Sequence, residues 1–406
     1  MRIFTLVSAA MALIAAPLAA QVALPRVPIP QVGPVLGEAL DDLDETRTAL
    51  QRTANRLARD RLRMIDKLVR RNADVIELDA EGAPARRGEL LVMDASSKAI
   101  EPALQAGFTM LSKDEIEGLD LSVVRLGVPA GLDLAEAQVL LANLLPMAKV
   151  SADNLHFQSG NANGAVLAIS AQSSAFTATP VGMIDGAPGP SVKVTESRGF
   201  AKGAPFSSNH GSAVASLLAS AGASNIKVAD VYGTDKAGGN ALAIAKGLGW
   251  LVSSGSKVVT ISLVGPNNAV LERAIGAARR KGVVVVAAVG NDGPAAPPAY
   301  PASYDGVVAV TAVDGKRRAL IEAGRALHLD YSAPGADIHG RNAKGKRIGL
   351  RGTSFATPLV AARIARAMGN GRSWRSALDK EAIDLGRKGP DDTFGRGLVC
   401  GTCKGR

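Results

Sequence analysis

Gly352-Thr353-Ser354-Phe355-Ala356-Thr357-Pro358 runs directly into the apolar stretch Leu359-Val360-Ala361-Ala362. A serine stands among small residues, and a proline follows within about one helical turn. Proline is tolerated where a helix has just begun, because the first four backbone N–H groups lack intrahelical partners anyway. The stretch therefore predicts a helix with Ser354 at its N-terminus, where free N–H groups and the dipole favour negative charge. A nucleophilic serine that generates a tetrahedral oxyanion needs this setting. In isolation the same residues also describe an ordinary capped helix start, so three further segments decide.

Upstream, Val283 to Val289 is an unbroken apolar run that ends at Gly290-Asn291-Asp292-Gly293. Such a run bounded by glycines reads as a buried parallel strand. Asn291 then projects from its C-terminal end, where ligands collect in open α/β sheets. Asn209-His210-Gly211-Ser212-Ala213-Val214-Ala215 opens a second small-residue helix, and Val181-Gly182-Met183-Ile184-Asp185-Gly186 is a short strand ending in an acid. Asp185, His210, Asn291 and Ser354 thus each stand at an element end. Together they supply an orienter, a base, an oxyanion donor and a nucleophile.

These segments resemble the subtilisin-like serine peptidases, in which the same residue types occur in the same order. The resemblance spans roughly Pro180 to Val399. It implies catalysis by Asp185, His210 and Ser354, with the Asn291 side chain and the Ser354 backbone N–H holding the oxyanion. Val258-Val259-Thr260-Ile261-Ser262-Leu263 resembles the family's substrate-binding strand, which assigns Ser262 and Leu263 to substrate. Ala299-Tyr300-Pro301-Ala302 resembles the wall of the first specificity pocket. The small Ala299 at its floor permits a medium or large apolar residue before the cut. Val264 after Leu263 and Asn209 before His210 depart from the usual glycines and bear on subsite shape. The implied activity is a secreted serine endopeptidase made as a self-processing zymogen. The alternative, from a different class, is a catalytically silent peptide-binding module on the same fold.

Met1–Ala20, with one arginine, a short apolar core and small residues near Ala20, reads as a signal peptide for a secreted or periplasmic protein. Residues 21–73 read as a linker and a long amphipathic helix, with Leu36, Leu43, Leu50, Leu57 and Met64 at seven-residue intervals. Residues 74–157 read as strand, helix, two strands, helix and strand, the ferredoxin-like α+β plan. That plan resembles the propeptide preceding many subtilisin-like domains, and it implies an intramolecular inhibitor. If so, its last strand lies along Ser262-Leu263 and Phe157 fills the pocket above Ala299. The cut then follows Phe157 or falls a few residues beyond. Residues 158–175 are a Gly/Ser/Ala/Asn-rich linker. Residues 176–406 alternate strands with helices, which predicts a parallel sheet with helices on both faces.

The net charge of +10 is uneven. From Phe176 onward there are 30 Lys and Arg against 16 Asp and Glu, whereas residues 74–157 hold 6 against 14. A basic domain beside an acidic one suggests mutual complementarity, which raises association rate and selectivity. The basic residues lack an accompanying aromatic platform, so nucleic acid is not an expected partner. Polypeptide substrates are, and no transmembrane segment is expected. Cys400 and Cys403 are the two cysteines. Two ligands cannot fill a structural zinc site, and a small local disulfide is the expected outcome in an oxidising compartment. No cofactor is required for this chemistry. Relatives often carry structural calcium, but no acidic cluster identifies a metal site.

Overall fold

The structure, a computed structural model, describes residues 34–96, 98–159, 161–164 and 177–403, with side chains within 51–96, 98–159 and 177–403. The expected signal segment and much of the 158–175 linker lie outside these residues. The chain divides into two compact units, Met1–Ala49 and Leu50–Arg406. In the first, the described residues are helical. All that follows concerns the second.

Helix α1 is Pro34–Arg71. Within the second unit its covered side is Ala54, Leu57, Ala58, Arg61, Ile65 and Leu68. Met64, expected on the seam by strict seven-residue spacing, is 55% exposed, and Ile65 takes its place. A straight helix of 3.6 residues per turn drifts away from a heptad, and among the described residues no partner helix supercoils this one back.

The N-terminal α+β domain comprises β1 (Ile76–Leu78), β2 (Pro84–Met93), α2 (Glu101–Gln105), β3 (Thr109–Ile116), β4 (Leu121–Gly127), α3 (Leu134–Leu144) and β5 (Lys149–Asn154). Its antiparallel sheet has β2 between β4 and β5, with β3 outside β4 and the short β1 beside the start of β2. Apart from β1, this is the expected element order. Asp133 caps α3, accepting from the Glu136 N–H while the Glu136 carboxylate accepts from the Asp133 N–H. Leu90, Val92, Val124 and Leu126 pack on Ala103, Leu134 and Leu141 of the two helices.

Two short strands follow, β6 (Phe157–Gln158) and β7 (Asn161–Gly164). The remainder contains β8 (Val181–Asp185), β9 (Glu196–Gly199), α4 (Asn209–Ser220), β10 (Ile226–Asp230), α5 (Ala241–Ser253) and β11 (Val258–Ile261). Then come β12 (Leu263–Val264), α6 (Ala269–Arg280), β13 (Val284–Ala288), β14 (Val308–Val313) and β15 (Tyr331–Pro334). The hairpin β16 (Ile338–Arg341) and β17 (Arg347–Arg351), helix α7 (Thr353–Gly369) and helix α8 (Trp374–Glu381) complete it. Seven strands form one parallel sheet in the order β15-β14-β13-β11-β8-β10-β9. Val258, Val286 and Val310 face α4 and α7, while Val259, Val285 and Ala309 face α5 and α6. Strands buried on both faces explain the continuous valine run. Tyr331-Ser332-Ala333-Pro334 is the edge strand β15.

The second face of the α+β sheet docks on this domain. Leu91, Met93, Leu121 and Val123 join the core beneath α5 and α6, so β2 is apolar at consecutive positions because both of its faces are covered. Around this contact, acids of the smaller domain meet bases of the larger. Asp74 pairs with Lys236, Asp94 with Arg273, Asp114 with Lys246, Glu117 with Arg198 and Asp120 with Lys281. Arg86 with Asp235 runs the other way. Asn268 donates to Ser151 Oγ, the Ala152 carbonyl and Asn154 Oδ1, each at 2.9 Å. Asp153 accepts from the Leu242 N–H at the start of α5, and burial pushes its carboxyl pKa up to about 7.

Candidate active site

Asp185 ends β8, which has β10 on one side and β11 on the other, so its carboxylate emerges at the C-terminal edge of the central strand. It is fully buried and accepts from the Gly186 N–H at 2.7 Å. His210 lies in the first turn of α4, which Ser208 caps by accepting from the Gly211 N–H. Gly211 lets this turn close on the strand, since a Cβ there would stand 1.9 Å from the Gly186 carbonyl oxygen. His210 Nδ1 consequently lies 2.8 Å from Asp185 Oδ2 and 3.1 Å from Oδ1. Bonded this way, Nδ1 carries the proton and Nε2 is left basic. Nε2 is buried without a hydrogen-bond partner among the described residues, and the ring packs on Phe355 with centroids 5.4 Å apart.

Ser354 is the second residue of α7. The residue before that helix, Gly352, has φ +138° and ψ 164°, a backbone region essentially confined to glycine. Pro358, inside the helix, cannot donate to the Ser354 carbonyl, and Ser262 does so instead: its Oγ donates at 2.8 Å. The Ser354 hydroxyl donates to the Ser262 carbonyl at 3.0 Å. The expected bond from Ser354 Oγ to His210 is therefore not formed in this conformation.

Asn291 follows β13 and is held by Thr353, whose N–H donates to Asn291 Oδ1 at 3.0 Å. That bond fixes the amide so that Nδ2 points into the cleft, where it donates to Ser159 Oγ at 3.1 Å. Thr353 Oγ1 also meets the backbone of Gly290 on both its N–H and its carbonyl. In the sequence Thr353 carries no signal of this role beyond its place beside Ser354.

The cleft is occupied by the chain's own β6. Gln158 pairs with Leu263 and Phe157 with Val264, antiparallel. The next residue, Ser159, donates its N–H to the Ser262 carbonyl at 3.3 Å and accepts the Ser354 N–H on its own carbonyl at 3.0 Å. Ser159, not Phe157, thus reaches Ser354; Phe157 instead packs near Leu68, Val69 and Ile76. Register here follows backbone pairing and not side-chain bulk. Gln158 Nε2 donates to Asp185 Oδ1 at 3.0 Å. His156, fully buried, lies against Gly265, and its carbonyl accepts from the Tyr232 hydroxyl at 2.7 Å. Burial lowers its imidazole pKa to about 4.

Ser159 opens onto a cavity of about 520 Å³ bounded by Val264, Gly290, Pro297 and Ala299 on one side and Leu62 and Ile65 of α1 on the other. Beside it, Arg61 pairs with Asp292 at 3.0 Å and Leu57 sits on Gly293. Burial raises the Asp292 pKa and Arg61 opposes that shift. Cys400 and Cys403 are joined, with Cα atoms 5.2 Å apart. Among the described residues no group of three or more His, Cys, Asp or Glu side chains could hold a metal ion. No helix among them is long and apolar enough to cross a membrane.

The model of the Subtilase family matches residues 190–397, which include His210, Asn291 and Ser354. Subtilisin BL from Lederbergia lenta is 32% identical over 229 residues, covering 52% of this chain and 83% of that one. Subtilisin Savinase from the same organism is 36% identical over 167 residues, or 40% of this chain and 61% of that one. Among solved structures, fervidolysin from Fervidobacterium pennivorans, a keratinolytic enzyme related to subtilisin, aligns with a TM-score of 0.63. That alignment covers 81% of this chain and 62% of that one at 18% identity, and at that level it concerns the fold alone. With the family's sequence pattern running through more than half of its length, this chain belongs to the subtilase family and is a serine endopeptidase.

Proposed function

We propose that Asp185, His210 and Ser354 form the catalytic triad, and that residues 74–159 are an inhibitory leader which the enzyme removes by cutting Ser159–Gly160. The observation that carries this reading is the Ser159 carbonyl held by the Ser354 backbone N–H at 3.0 Å, with the preceding residues paired along β12. A peptide added to a sheet edge with its carbonyl at a helix N-terminus is poised for acyl transfer.

The chemistry follows from these positions. Ser354 Oγ turns from the Ser262 carbonyl toward the Ser159 carbonyl carbon and passes its proton to His210 Nε2. Asp185 holds Nδ1–H and stabilises the imidazolium that forms. Negative charge collects on the Ser159 oxygen, where the Ser354 N–H already donates. Asn291 Nδ2, which donates to Ser159 Oγ at 3.1 Å, shifts to the carbonyl oxygen of the same residue as the second donor. Such a donor contributes about 3 kcal/mol, a magnitude established on a subtilisin. His210 then protonates the Gly160 amine as it leaves, and water releases the acyl group by the same route.

Further substrates are polypeptides bound along β12 in the same antiparallel register. Ser159 leaves most of the cavity above Ala299 unfilled, so a larger apolar residue suits that place better. Export through Met1–Ala20 and closure of the cavity by α1 complete the proposal. Ser354→Ala is expected to abolish peptide hydrolysis and labelling by a serine-directed phosphonate while leaving the thermal transition in place. Full activity in that variant would remove the assignment.

A further inference from the structure

The backbone of Gln158 pairs with Leu263, while its side chain turns inward toward the buried acid. The amide Nε2 donates to Asp185 Oδ1 at 3.0 Å and to Ser208 Oγ at 3.5 Å. An ionised carboxylate only accepts hydrogen bonds, and Ser208 Oγ already serves as acceptor for the Gly211 N–H. The position therefore calls for the NH2 end of an amide, and a glutamate there would meet like charge. Gly186 keeps the approach open. A Cβ on it would stand 2.6 Å from Ser208 Cβ, 2.9 Å from Ser208 Oγ and 3.7 Å from Gln158 Nε2.

The donors around Asp185 differ in origin. Oδ2 takes the shorter His210 Nδ1 contact at 2.8 Å, and Oδ1 accepts from the Gly186 N–H at 2.7 Å and from Gln158. His210 and the Gly186 N–H belong to the enzyme. The Gln158 amide comes with whatever peptide lies along β12. Such a donor acts unequally during the reaction. Before proton transfer Asp185 carries a full charge beside a neutral imidazole, and a hydrogen bond to an ionised group is stronger than one between neutral groups. Once His210 holds the Ser354 proton, the imidazolium draws on the same carboxylate and the amide bond weakens. The contact thus stabilises the bound peptide more than the transition state, which lowers KM and kcat together.

We infer that Asp185 and Ser208 form a subsite for an amide side chain on the second residue before the cut, and that Gln158 is a positioning residue which acts through Asp185. This rests on the triad reading and on Ser159–Gly160 being the bond that Ser354 addresses. A polypeptide with Gln at that place is held well and turned over slowly. One with an apolar residue of the same length is held less well and turned over faster. The first behaviour suits a leader, which is cut once and then stays in the cleft as an inhibitor until it is displaced.

The test compares Gln with Met, which keeps the length and loses the donor. Processed wild-type enzyme is given internally quenched peptides with Leu-His-Phe-Gln-Leu or Leu-His-Phe-Met-Leu before the cut. Met should raise kcat and KM by a similar factor, about three- to tenfold, leaving kcat/KM within about twofold. The acid limb of the kcat profile should lie roughly half a pH unit lower with Gln than with Met, because a donor on Asp185 weakens its support of the imidazolium. In the full-length precursor, Gln158→Met should quicken the first self-cleavage by a comparable factor, and the thermal transition of the same change in Ser354→Ala precursor checks that the chain folds. Equal constants for the two peptides, a change in KM alone, or coincident acid limbs would overturn the action on Asp185 and leave the triad standing. If neither peptide is cut and the precursor stays whole with either residue, the triad reading falls as well.

Discussion

The Ser354 hydroxyl and the Ser262 carbonyl lie 3.0 Å apart, and the Ser262 hydroxyl returns a bond of 2.8 Å to the Ser354 carbonyl. Ser262, between β11 and β12, thus holds Ser354 at two points. Under the proposed chemistry the first bond breaks before Ser354 attacks; the second exists because Pro358 has no N–H to offer. Ser262 therefore belongs as much to the integrity of helix α7 as to the cleft.

Ser262→Ala follows from this pairing. It leaves a buried carbonyl without its donor, which costs about 1–3 kcal/mol. Thermal unfolding of the Ser354→Ala form with and without Ser262→Ala measures that cost free of self-digestion. An unchanged melting temperature would show that the Ser354 carbonyl finds another donor.

Charged pairs ring the apolar contact between the two domains. Five acid-to-base contacts cross the interface, all at least partly exposed, and each is worth at most about 1 kcal/mol and is screened by salt. After the cut, the leader should leave faster as sodium chloride rises from 0.05 to about 1 M, read as a shorter lag before activity appears. Lys246→Ala and Lys281→Ala together should shorten the lag at low salt and flatten its salt dependence. A lag indifferent to salt would assign retention to the apolar contact alone.

His156 and Asp153 respond to pH with opposite sign. The buried imidazole, lowered to about 4 from an ordinary value near 6.5, must stay neutral when docked. Docking therefore weakens as pH falls from about 6.5 toward 4. The buried Asp153 carboxyl, pushed up to about 7, keeps a proton that a free aspartate loses near 3.9. Docking therefore weakens as pH rises from about 4 toward 7. Between about 4 and 6.5 the two tendencies offset. Asp153→Asn should expose the histidine response, with leader release accelerating as pH falls, by up to about tenfold per unit. His156→Phe should expose the opposite one. Identical pH profiles in both variants would contradict this linkage.

The long parallel strands were legible because both of their faces are buried: Val283 to Val289 could be little else. The Ser354 element was legible because a serine, small residues and a proline at that spacing leave few structures open. The edges were not. Glu196–Gly199 and the β16–β17 hairpin carry arginine, lysine and glycine where a half-exposed edge needs no apolar run, so periodicity is silent there. Met64 was placed on the α1 seam by counting sevens, whereas the helix keeps its own period and presents Ile65. Phe157, as the last residue of the expected leader strand, is the one the sequence puts in the pocket, yet the pairing of Gln158 with Leu263 carries Ser159 to Ser354. Thr353 holding Asn291 depends on two segments 62 residues apart, a proximity that only the folded sheet creates.

The most direct test is the identity of the first new N-terminus that appears when the purified precursor matures, followed over time by mass spectrometry. The expected first cut lies between Ser159 and Gly160, giving a fragment that begins with Gly160, and Ser354→Ala precursor held under the same conditions should stay intact. A first cut at any other bond, or the same cut appearing in Ser354→Ala at the wild-type rate, would contradict self-cleavage by Ser354 at the carbonyl it already holds.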